Sequence, residues 1–120
     1  MKIKDKYPEI IKLRETEEEL PWDDMKSIKA TIQLFTANLQ ETIDFLDNDC
    51  TAEQFSWMSE VFDEISEKLQ SWEFIDALRR TAAKYPEETE NYNVLSFIDL
   101  AERVLTPEVY FQRYPEEKQS

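Results

Sequence analysis

At 120 residues the chain has the length of one domain built on a single modest core. Its formal net charge is −13, with 27 acids against 14 bases, which argues against direct binding to nucleic acid or to an anionic membrane surface, since both need clustered Lys and Arg. It contains no glycine and no histidine, so phosphate-cradling glycine loops, the commonest general base and the commonest transition-metal ligand are all missing.

The N-terminus, Met1-Lys2-Ile3-Lys4-Asp5-Lys6, is basic, but no apolar run of signal-peptide length follows it, and no stretch approaches the roughly 18 apolar residues that span a bilayer. A cytoplasmic protein is expected. The single Cys50 is in keeping with a reducing compartment, because it has no internal disulfide partner. One helical domain over residues 1–120 is expected, with 1–6 and 115–120 frayed.

Proline after Tyr7 predicts a first helix from Pro8 to Glu18. From Asp23 to Leu46, Ile28, Ile32, Phe35, Leu39, Ile43 and Leu46 share one face, and Asp23 and Asp24 suit the positive end of the dipole. That spacing predicts one long helix. Leu34 and Phe45 fall about 100° or more from its main stripe, which fits a central helix packed on two sides better than a binding face. Asp47-Asn48-Asp49-Cys50 reads as a turn.

Thr51 and Gln54 form a capping-box pattern ahead of Phe55, Met58, Phe62, Ile65 and Leu69. The three, four, three, four spacing of these apolar residues predicts a single helix to Leu69. Ser71 caps a helix from Trp72 to Lys84 with Trp72, Ile75, Leu78 and Ala82 inward. Another, from Tyr92 to Leu105, turns Val94, Ile98, Ala101 and Leu105 to the core. Thr106-Pro107 starts a last short helix to Arg113. With no convincing strand, the expected fold class is all-α, a single-domain bundle of five or six helices.

A base followed by Tyr-Pro-Glu recurs at Lys6, Lys84 and Arg113, at separations of 78 and 29 residues. Solenoids need a fixed period, so the recurrence reads as proline starting or stopping helices with tyrosine packed beside the break. Asp47-Asn48-Asp49 resembles the start of a calcium loop, but Ala52 stands where glycine belongs and Met58 where glutamate belongs. Di-iron bundles need Glu-x-x-His pairs, which this chain lacks. Glu60 and Glu64 would make an acid and base pair only in a shielded cleft, whereas the wheel turns them to water. No catalytic residue, metal site or cofactor is expected.

The acid is unevenly placed. Residues 1–30 hold seven bases and eight acids, and residues 31–120 hold seven bases and nineteen acids. Between Lys29 and Lys68 stand nine carboxylates and no cation, although like charges one helical turn apart repel by about 0.2–0.5 kcal/mol per pair. On one continuous helix, Glu53, Glu60, Glu64 and Glu67 fall within about 60° of each other, opposite the apolar stripe, with Trp57 at the edge. An aromatic anchor beside steering charges is the usual division of labour at protein interfaces. Glu53, Trp57, Glu60, Glu64 and Glu67 are therefore the candidate partner-binding residues. The competing readings are a neighbouring helix covering Trp57 and a merely solvated glutamate face.

The stretch Ser71-Trp72-Glu73-Phe74-Ile75-Asp76-Ala77-Leu78-Arg79-Arg80, with Lys84-Tyr85-Pro86-Glu87-Glu88 and Ile98-Asp99-Leu100-Ala101-Glu102-Arg103-Val104-Leu105, resembles small acidic immunity proteins of bacterial polymorphic toxin systems, including contact-dependent growth inhibition. The resemblance implies a cytoplasmic helical protein that binds and blocks one cognate toxin domain, frequently a basic nuclease, without a cofactor. It carries over no binding residue, so the five candidates rest on the helical wheel alone. The alternative is an acidic helical adaptor or regulatory subunit for another basic protein.

Overall fold

The computed structural model describes residues 2–115. The described residues form α1 (Ile3–Thr16), a short 3-10 turn (Trp22–Asp24), α2 (Lys26–Thr36), α3 (Leu39–Asn48), α4 (Ala52–Ser59), α5 (Phe62–Leu69), α6 (Trp72–Lys84), α7 (Pro86–Asn91), α8 (Val94–Arg103) and α9 (Pro107–Arg113). The fold is all-helical, but among the described residues there are nine α-helices, not five or six. Two breaks and the separate helix α7 raise the count from six to nine, and the first helix also starts early.

The first helix starts five residues early, at Ile3, and runs through Pro8. Proline there forfeits one backbone hydrogen bond, yet Ile3, Tyr7 and Ile11 share a buried face. The Tyr7 ring stands edge-on to Phe35 at 5.0 Å and to Phe45 at 6.1 Å. Burying such side chains contributes about 1.5–3 kcal/mol each, enough to outweigh the proline. Residues 3–6 are thus part of α1, and of the ends expected to fray, 1–6 and 115–120, residues 1 and 116–120 lie outside the described residues.

The long helix from Asp23 to Leu46 is broken between α2 and α3. Asn38 caps α3 by accepting from the Glu41 N–H at 3.0 Å, and the Thr42 hydroxyl donates to the Phe35 carbonyl at 2.8 Å, satisfying a group at the end of α2. The bend folds Phe45 back onto Phe35 and Tyr7, where it is buried. No second seam is left: Phe45 belongs to the core.

The second break falls between α4 and α5, at Glu60 and Val61. The capping box at Thr51 and Gln54 forms with both reciprocal bonds. After Ser59 the backbone then tightens, with Glu60 N–H donating to the Trp57 carbonyl and Val61 N–H to that of Met58. Met58, Ser59, Val61 and Phe62 are all buried, and a straight helix would spread them over about 160° of arc. Turning the chain brings them to one core.

Around α6 the packing is as its apolar spacing predicts. Trp72, Ile75, Leu78 and Ala82 are buried, and Ser71 caps the helix from the N–H of Phe74. α6 lies on α3 and α8, while α5 lies on α8. There the Ser66 hydroxyl donates to the Ala101 carbonyl at 2.7 Å, two small residues that permit close approach. Val94, Ile98, Ala101 and Leu105 are buried, and Thr106 with Pro107 opens α9.

Lacking glycine, the chain ends α5 on Gln70 in the left-handed region, at φ 46°. That conformation costs a residue with a Cβ about 1–2 kcal/mol. The Gln70 side chain offsets it by donating to the Glu67 and Val104 carbonyls and accepting from the Thr106 N–H at 2.7 Å. Asn93, at φ 52°, separates α7 from α8 and is a residue type that tolerates this region. No helix of the described residues is long and apolar enough to cross a membrane.

Candidate functional site

The break at Glu60 and Val61 redistributes the expected glutamate ridge. Glu53, Trp57 and Glu60 stay with α4 and line a cleft of about 460 Å³ against Glu88, Tyr92 and Phe97. Glu64 and Glu67 leave with α5, which packs on α8, α2 and α6. The four carboxylates and Trp57 therefore form two groups, and the single outward ridge read from the helical wheel is corrected. The wheel assumed one unbroken axis, which the turn removes.

Trp57 is half-buried and packs against the core, and a cation from α1 lies over its ring. The Arg14 guanidinium of α1 sits 5.3 Å from the Trp57 ring centroid and donates from Nη2 to the Glu60 carboxylate at 2.9 Å. Both partners are largely enclosed, with side chains 15% and 27% exposed, so this pair is screened less than a surface pair. Arg14 Nε and Nη1 are buried with no hydrogen-bond partner among the described residues. Trp57 and Glu60 also line a small neighbouring pocket that contains Arg14. Arg14 is not among the residues that line the cleft itself.

Three carboxylates, three aromatic rings and the hydroxyls of Ser56 and Ser59 thus line the cleft, and no lysine or arginine does. Glu53 and Glu88 make no ion pair among the described residues. Each instead lies in the first turn of its helix, α4 for Glu53 and α7 for Glu88. There the backbone N–H groups favour negative charge by about 0.3–1 kcal/mol. This is how the fold holds adjacent acids without spending cations on them. Tyr92, at 57%, is the most exposed of the large apolar side chains at the surface.

On α5, burial and then the neighbouring Asp63 push the Glu64 carboxyl above its ordinary value, Glu67 adding to the effect and Trp22 and Lys68 opposing it. Trp22 is 40% exposed and stands beside Glu64. It is the tryptophan that has a free face next to acids, the character expected of Trp57. Asp63 and Glu64 occupy the first turn of α5, so they also favour the helix. Glu67 is exposed.

Glu88, Tyr92 and Phe97 were not among the sequence candidates. The signal for Tyr92 was available, since it falls about 160° from the Val94, Ile98, Ala101 and Leu105 stripe on a helical wheel. Glu88 depended on Pro86 opening a separate helix, α7, which the apolar spacing does not announce. Arg14 comes from a helix distant in sequence and could not be paired with Glu60 by any local pattern.

The remaining chemistry is structural. Burial raises the Cys50 thiol to about 12, outweighing the opposing charge of Lys84, so the sulfur is held as an unreactive thiol. Among the described residues, no three carboxylate or thiol groups converge closely enough to hold a metal ion. A wider groove of about 590 Å³ beside α6 and α7 carries both Arg79 and Glu90, so its charge selects no occupant. Comparison with protein-family models, with curated proteins and with solved structures finds no match.

Proposed function

We propose that this chain is an immunity protein that binds and neutralises a cognate basic toxin domain, a nuclease in the most fitting case, by stoichiometric contact. The cleft side of the molecule, with Glu53, Trp57, Glu60 and Glu88, meets the partner, and the α5 acids Glu64 and Glu67 extend the field. The observation that carries the reading is the uncompensated acid along α4, α5 and α7 in a chain of net charge −13.

A nuclease needs a cationic groove to hold phosphate. An acidic surface with aromatic side chains suits that groove, the charges speeding encounter and the rings slowing release. The resemblance of the second half to immunity proteins points the same way, and no cofactor or bond-making step is involved.

Co-expression with the C-terminal domain encoded by the adjacent gene tests the reading, scoring growth and co-purification together. Restored growth with a one-to-one complex is the expected result. A complex with a basic protein that is not toxic would favour the adaptor reading, and no complex at all would defeat both.

A further inference from the structure

We infer that the cleft between α4 and α7 seats the guanidinium of one arginine side chain from the partner protein, held over Trp57 and Tyr92 and neutralised by Glu53 and Glu88. This deepens the reading above and rests on it for the source of the arginine.

The walls select the ligand class. Two of the three lining carboxylates, Glu53 and Glu88, are unpaired among the described residues and no cation lines the cleft, so a cation is favoured over an anion. The carboxylates do not converge as a metal site requires, so the charge must be spread over a larger group. Aromatic faces attract organic cations through their negative quadrupole. A guanidinium matches both features, because its plane lies on rings while its edge donates two parallel bonds to a carboxylate. An ammonium satisfies the acids but makes no planar contact.

The protein itself displays the arrangement. Arg14 places its guanidinium 5.3 Å from the Trp57 centroid and bonds Glu60 at 2.9 Å. That pair uses Glu60 and leaves Glu53 and Glu88 without an ion-pair partner among the described residues. The cleft thus offers a second cation the surroundings that Arg14 already occupies next door. A volume of about 460 Å³ falls within the range of concave ligand sites, and Tyr92, a lining residue, is itself exposed.

The test is an NMR titration of the whole chain with N-acetyl-arginine amide, with N-acetyl-lysine amide and N-acetyl-glutamine amide as comparison probes. The Trp57 indole N–H is assigned by its loss in W57F. Saturable shifts of that signal are expected, strongest for the arginine probe and weakened about tenfold in E53Q/E88Q. Circular dichroism of E53Q/E88Q, whose changes lie at the surface, checks that the fold is kept. Shifts centred on Trp22, equal response to the lysine and arginine probes, or saturation unchanged in E53Q/E88Q would each overturn the inference. The same variant in the co-expression assay separates the two claims. A complex indifferent to E53Q/E88Q removes the arginine seat and leaves partner binding standing, whereas absence of any complex removes partner binding and leaves the cleft to the probe titration.

Discussion

The acids around α6 and the acids of the cleft and of α5 are held in opposite ways. Around α6 four carboxylates each have a guanidinium, while Glu73 of α6 itself has none among the described residues. Arg80 grips Asp47 of α3 with two bonds of 3.1 and 3.0 Å, Arg79 reaches Asp99 and Glu102 of α8 at 3.3 Å, and Arg113 of α9 grips Asp76 with two bonds of 2.8 Å. Each pair joins two helices and fixes their register. Glu53 and Glu88 at the cleft, and Asp63, Glu64 and Glu67 on α5, make no ion pair among the described residues. Helix N-termini make most of these acids tolerable without cancelling their outward field. Acid that is paired serves the fold, and acid that is left unpaired is free to serve a partner.

Glu60 lies at the boundary, the one cleft acid tied to an internal cation. Replacing Arg14 with methionine should therefore have the largest effect on stability, about 2–3 kcal/mol by urea unfolding, because a half-enclosed carboxylate loses its partner. Adding E60Q to R14M should restore most of that loss. An R14M protein as stable as the original would mean that the pair does not hold α1 to α4.

Glu17 comes next and belongs with the fold-serving acids despite standing in an acidic run. It is buried, and its carboxylate accepts from the backbone N–H groups of Ser27 at 2.9 Å and Lys26 at 3.0 Å, capping α2 from a distance. The nearby Ser27, through its side chain first and then its backbone N–H, lowers its pKa against the effect of burial, with Lys26 adding to the shift. A carboxylate whose folded pKa is depressed contributes fully above its unfolded pKa, and the contribution is lost as pH falls through the folded one. E17Q should thus lower the melting temperature at neutral pH, and the gap from wild type should close on acidification below the ordinary carboxylate range.

A smaller loss is expected at the exposed Arg113–Asp76 pair, whose side chains are 40% and 38% accessible. Arg113 holds the Asp76 carboxyl below its usual value, but solvent screens such a pair. D76N should cost about 0.5–1 kcal/mol, less in high salt, and should leave partner association unchanged. Slowed association in D76N would erase the distinction between paired and unpaired acids.

Smallest of all is the effect expected at Glu64, where the sign reverses. Its carboxyl is raised, first by burial and then by Asp63, so ionisation weighs against the fold above the raised pKa and is relieved as pH falls toward the unfolded value. E64Q should melt slightly higher than wild type at neutral pH, with the advantage fading in acid. Scanning fluorimetry over a pH series reads both glutamates together, and shifts of the same sign in both would contradict the contrast.

The sequence was most legible where capping chemistry and apolar spacing agreed. Ser71, Thr106 and the Thr51–Gln54 box each open the helix they predict, and α6 and α8 bury the faces their spacing assigns. It was least legible where a helix bends. Residues 28–46 and 55–69 keep helical spacing across the breaks at Asn38 and Glu60, because each half contributes to the same core. Periodicity records which residues are buried, not whether the axis between them is straight. That limitation split the glutamate ridge, whereas Glu88 was hidden because α7, opened by Pro86, has no apolar spacing to announce it, and the Arg14–Glu60 pair because its partners are distant in sequence.

The most direct measurement is stopped-flow association of this chain with its co-purified basic partner, comparing E53Q/E88Q with D47N/D76N at low and high salt. Association slowed about tenfold in E53Q/E88Q alone, with the difference shrinking as salt rises, is the expected result. Wild-type rates in E53Q/E88Q, or equal slowing in both variants, would contradict the claim that unpaired acid is the partner-facing surface.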